Sequence, residues 1–109
     1  MTRKQNKHKL VINADFGGFS LSQKAVEWLG CHGIYQKYAK LNCIDDIPRH
    51  ESLLVECVET LGSAANTDVS TLKIIEIESD SYYIVDYDGF ERVITPADFV
   101  KIRKEVCND

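Results

Sequence analysis

The stretch NADFGGFSLS places two adjacent glycines, Gly17 and Gly18, between Phe16 and Phe19 and just ahead of Ser20 and Ser22. Glycine tolerates positive φ and lets another group come close to the backbone. The serines can start a helix, whose first turn carries unpaired N–H groups and the positive end of the dipole. That combination suits an anion, above all a phosphate, and needs no lysine. The spacing is that of neither a P-loop nor GxGxxG, because no lysine followed by Ser or Thr comes after the glycines. The competing reading is a tight strand-to-helix corner, with both phenylalanines filling gaps in the core.

A second candidate is YDGFE, residues 87–91. Asp88 and Gly89 have the chemistry of a two-residue hairpin turn. Tyr87 and Glu91 flank it and present a hydroxyl and a carboxylate to a ligand or partner, unless cross-strand pairing accounts for both. Catalytic constellations are missing. Cys31 and His32 are sequence neighbours whose side chains diverge, and Asp86 and Asp88 lie in a hairpin rather than at a strand end. The chain is therefore expected not to be an enzyme and to need no cofactor. Four cysteines, Cys31, Cys43, Cys57 and Cys107, and the nearby His32 and His50 lack any CxxC or HxxxH pair, so no metal site is expected.

These residues need a scaffold. KLVINAD reads as a strand, with Val11 and Ile12 as its β-branched pair. Leu21, Ala25, Trp28 and Leu29 recur at helical spacing, with Ser20 or Ser22 as cap and Gly30 or Gly33 as stop. Residues 34–45 fit a helix or a short strand about equally well. Leu53, Leu54, Cys57, Val58 and Leu61 form one apolar stripe that Gly62 ends, with Glu51, Glu56 and Glu59 facing mainly outward. TLKIIEIES, YYIVDYD and the run after Asp88–Gly89 read as three strands of an antiparallel meander. A last helix over TPADFVKIRKEV has Thr95 as cap, Pro96 in first position, and Phe99, Ile102 and Val106 facing the sheet. The expectation is an α+β fold of order β-α-α-β-β-β-α. Its mostly antiparallel sheet has about four strands, with helices mainly on one face and the sense of the first strand open.

The chain's 109 residues suit one domain, expected over 9–107 behind a basic arm at 1–8. A net charge of −4 disfavours a protein built to coat DNA. The charged opening is no secretion signal and no apolar run has membrane length, so a cytoplasmic protein with reduced thiols and no membrane partner is expected.

Four motifs in order, GGFSLS, IPR followed by LL, VE and LG, LKIIEI, and YDGFE with Val93, resemble a family of small proteins of bacteriophages and prophages. The resemblance covers roughly residues 9–95. Members often have Cys-Tyr before the glycines, where this chain has Asp15 and Phe16, and a tryptophan where it has Arg92. The resemblance implies an accessory factor acting on a bacterial host. Its expected role is binding, either of a nucleotide or other anionic small molecule that signals host defence, or of a host enzyme as an interaction inhibitor. A phosphate site on so small a domain would be shallow, so a second subunit is expected to complete it in a homo-oligomer.

Overall fold

The computed structural model describes residues 8–96. Most of the basic arm, the helix expected after Thr95 and Cys107 lie outside the described residues. Strand β1 (His8–Asn13) leads to helix α1 (Gln23–Cys31), a short helix α2 (Ile34–Lys37), a 3-10 turn at Ile44–Asp46, and helix α3 (Ser52–Leu61). Strands β2 (Leu72–Ile77), β3 (Tyr83–Tyr87) and β4 (Phe90–Ile94) follow. The fold is α+β.

The strands do not form the expected meander. β2 pairs antiparallel with β1, from His8 opposite Ile77 to Asn13 opposite Leu72, while β3 and β4 form a separate hairpin. The physical reason lies in β1, where Leu10, Val11, Ile12 and Asn13 are all buried. A strand covered on both faces belongs inside the molecule, and β2 supplies the apolar partner strand. The other edge of β1 is taken at Val11, whose N–H donates to the Arg49 carbonyl at 3.0 Å. That loop strand stands where a fourth sheet strand would pair. The single sheet of about four strands is thus two sheets of two.

Helix α1 starts where Ser22 accepts the Ala25 N–H at 3.1 Å through its hydroxyl, so Ser22, not Ser20, is the cap. The helix runs through Gly30 and ends before Gly33, which sits at φ 90°. Residues 34–45 resolve into α2 and the turn leading to the 3-10 segment. In α3 the buried side chains are Leu54, Val55, Cys57 and Val58, and Gly62 ends the helix. These pack with Ala25, Leu29, Ile34, Ile47 and Val11 into one core.

Glu51 departs from its expected outward position. It is the buried cap of α3, accepting the Leu53 N–H at 2.9 Å, the Tyr38 hydroxyl at 2.5 Å and the Lys37 ammonium at 3.0 Å. Burial alone would raise its carboxyl, but these three donors outweigh burial and hold it down to about 2. The same hydrogen bond, with burial adding to it, pushes the Tyr38 hydroxyl up to about 12. One carboxylate thereby fixes α2 to the start of α3.

Candidate functional site

The two sequence candidates meet in space. Asn13, at the end of β1, donates through its amide to the Gly89 carbonyl at 2.6 Å, across 76 positions of sequence, and to the Asp15 carbonyl at 2.7 Å. Its side-chain oxygen accepts the Thr71 N–H at 2.8 Å. Its own backbone N–H goes to Glu91 Oε1 at 2.9 Å. Arg49 then grips Glu91 with both arms of its guanidinium, at 2.6 and 3.0 Å, and lies 3.6 Å above the Phe19 ring. Glu91 is 4% exposed and spends its carboxylate on these partners. Such a buried, bidentate pair fixes geometry more than it adds stability.

The glycines fit this joint. Asp88 and Gly89 have φ of 54° and 92°, a primed two-residue turn that matches the twist of the strands it joins. A Cβ on Gly89 would lie 2.5 Å from the Gly18 nitrogen and 2.6 Å from the Phe16 carbonyl oxygen. A Cβ on Gly17 would overlap the backbone and Cβ of Val69. Gly18 takes φ 125° with open space beside it. Two backbone turns thus press against each other where no side chain fits.

Ser20 and Ser22 are committed within the same corner. The Ser22 hydroxyl caps α1 and donates to the Ala64 carbonyl at 2.7 Å. The Ser20 hydroxyl pairs with that of Thr67 at 2.7 Å, and the Ser20 carbonyl accepts from Ser70 at 3.0 Å. Gly17, Gly18, Ser20, Ser22 and Glu91 therefore come together as a packed joint.

Tyr87 lies elsewhere, on the open side of the hairpin. Alternation puts Tyr83, Val85 and Tyr87 of β3 on one face with Phe90, Arg92 and Ile94 of β4. Phe16 joins them from the glycine corner, its ring 5.2 Å from that of Phe90. Instead of filling the core, Phe16 is 60% exposed, and Tyr87 is 73% exposed. Phe16, Val85, Tyr87, Phe90 and Arg92 line a groove of about 530 Å³. The volume falls in the range of small-molecule sites. Arg92 is exposed and has neither an ion pair nor a side-chain hydrogen bond among the described residues. An unspent guanidinium beside three rings can hold an anionic, planar group, the cation by charge and the rings by stacking.

Asn13, Arg49 and Arg92 escaped the reading of the sequence. Asn13 had a signal, a polar amide at the end of an apolar strand. Arg49 had a weaker one, a cation straight after Pro48 and ahead of a capped helix. Nothing local marks Arg92 as facing a groove. Among the described residues no three His, Cys, Asp or Glu side chains gather to hold a metal ion, and no helix is long and apolar enough to cross a membrane. No family model, curated protein or solved structure matches the chain.

Proposed function

We propose that the protein is a small, non-catalytic binding protein that holds a nucleotide-type anion on the outer face of the β3–β4 hairpin. One observation carries this reading: Arg92, which has no side-chain partner among the described residues, borders a groove walled by Phe16, Tyr87 and Phe90. A base or other planar ring stacks on the aromatics, and a phosphate meets the guanidinium. We assign the anion to the hairpin rather than to the glycine corner because the Ser20 and Ser22 hydroxyls are already paired inside the fold. The groove is open on one side, so a second subunit is the natural means of closing it over a ligand. The motif resemblance to small phage and prophage proteins supports the setting, an accessory factor that sequesters a nucleotide signal of host defence.

The test is calorimetric titration with a panel of mono- and dinucleotides, alongside mass spectrometry of small molecules released when the purified protein is denatured. Arg92→Ala should weaken binding about tenfold or more, the loss of one charge-assisted contact. A chain that binds no member of the panel and releases no nucleotide sinks the proposal. A second reading, an inhibitor docked on a host enzyme, is favoured by the exposure of Tyr83 and Tyr87, each 73%. A stable complex with a host protein, free of nucleotide, would select it.

A further inference from the structure

Strand β3 has one edge bonded to β4 and, among the described residues, one edge without a backbone partner. In a hairpin closed by a two-residue turn, the pair beside the turn exchanges both its hydrogen bonds, and here that pair is Tyr87 with Phe90. Alternation then points the backbone N–H and C=O of Tyr83, Val85 and Tyr87 toward β4. Those of Ile84 and Asp86 point away from it. Among the described residues, no backbone hydrogen bond outside the hairpin involves residues 83–87. Exposed edges are ordinarily guarded by lysine, proline or a bulge, and the only guard on YIVDY is Asp86.

We infer that this edge is an interface and that its occupant is β3 of a second copy, antiparallel about a twofold axis at Val85. YIVDY reads almost the same in both directions, which makes the strand its own complement. The axis sets Tyr83 opposite the partner's Tyr87, Val85 opposite the partner's Val85, and Ile84 opposite the partner's Asp86. The hydrogen-bonding phase agrees, since Ile84 and Asp86 are the residues whose backbone groups point outward. The Val85 pair is then of the non-hydrogen-bonded kind, in which side chains come closest. No like charges meet, because each Asp86 faces an isoleucine. Tyr83, Val85 and Tyr87 are 73%, 40% and 73% exposed, and they gain the cross-strand neighbours that an isolated hairpin denies them.

The consequence for the groove rests on the binding reading above. The partner's Tyr83, standing opposite Tyr87, becomes a further wall of the site, so each copy helps to close the groove of the other.

Amide hydrogen exchange over a dilution series, read together with sedimentation of the full chain, tests the interface. The chain should sediment as a dimer or larger at high concentration. The Ile84 and Asp86 amides should be protected there and exchange about tenfold faster or more on dilution to monomer, with the Tyr83, Val85 and Tyr87 amides unchanged. Val85→Lys sets two ammonium groups face to face and should weaken self-association by roughly 100-fold. Because Val85 is exposed, the hairpin should survive this change, and the Tyr83 and Tyr87 amides report whether it does. A monomer at every concentration overturns the inference. So does an oligomer whose Ile84 and Asp86 amides exchange as fast as in the monomer, or protection that arises only when a foreign protein is added. Nucleotide titration is read separately. A β3-paired dimer that binds no nucleotide removes the ligand reading alone, and a monomer that binds one removes the interface alone.

Discussion

Glu91 is enclosed by the Asn13 N–H and both arms of Arg49, so removing it leaves a half-buried guanidinium without its counterion. Glu91→Ala should cost about 3–5 kcal/mol in denaturant unfolding, because the stranded charge is the expensive part. A cost below about 1 kcal/mol would mean that Arg49 finds water or another carboxylate. The thiols give a second check at this scale. Burial pushes the Cys57 thiol up to about 11, and its S–H lies 3.7 Å from the Ala25 carbonyl, whereas Cys31 and Cys43 are exposed. Since the thiolate is the reactive form, iodoacetamide at pH 8 should label Cys31 and Cys43 and spare Cys57 until the chain unfolds. Labelling of Cys57 in the folded protein, found by peptide mass spectrometry, would contradict its placement. The joint was half legible from sequence. Glycine pairs and an Asp-Gly turn announce tight backbone, and both lie where the types require. That the two turns press on each other was not legible, because contacts across 76 positions leave no local pattern in residue type.

The element most exposed to mutation is the β3–β4 turn against the glycine corner. Gly89→Ala combines φ 92° with a Cβ 2.5 Å from the Gly18 nitrogen, so strain and overlap act together. Gly18→Ala meets only the strain of φ 125°, with open space around it. The expected cost is about 1–2 kcal/mol for Gly18→Ala and at least about 1 kcal/mol more for Gly89→Ala, by thermal or denaturant unfolding. Equal costs would show that the turn can move away from the corner. Among the elements, α1 was readable because its apolar spacing and serine cap agree, and α3 because its apolar stripe ends at Gly62, although its cap, Glu51, was not. The hairpin was readable from Asp88–Gly89. The partner of β2 was not, since TLKIIEIES fits beside β1 or β3 equally well by alternation. What decided was the burial of β1 on both faces, which depends on the whole fold. Residues 34–45 were ambiguous for a related reason. The Glu51 clamp that fixes α2 joins two separate segments, Lys37–Tyr38 and the start of α3.

For the molecule as a whole, that clamp contributes a pH dependence at both the acid and the alkaline end. Glu51 has an ordinary value of 4.5 and sits at about 2 when folded, so its share of stability is fully present above about pH 4.5 and is lost as pH falls through 2. Tyr38 moves the other way, from 10.0 to about 12, so its share is present below pH 10 and is lost as pH rises through 12. Glu51→Gln should lower the midpoint of thermal unfolding at neutral pH and flatten its fall between pH 4.5 and 2. Tyr38→Phe should flatten the alkaline limb. A wild-type acid limb that keeps its slope in Glu51→Gln would assign acid unfolding to other carboxylates. The pairing of β1 with β2 bears on how the chain is made. His8 meets Ile77 and Asn13 meets Leu72, so the strand synthesised early waits about 60 residues for its mate. At elongation speeds of about 5–20 residues per second, that wait is roughly 3–12 seconds. Throughout it Leu10, Val11 and Ile12, buried in the finished protein, travel out of the ribosome as an unpaired apolar strand. Until Ile77 emerges, those residues have no β2 to pair with.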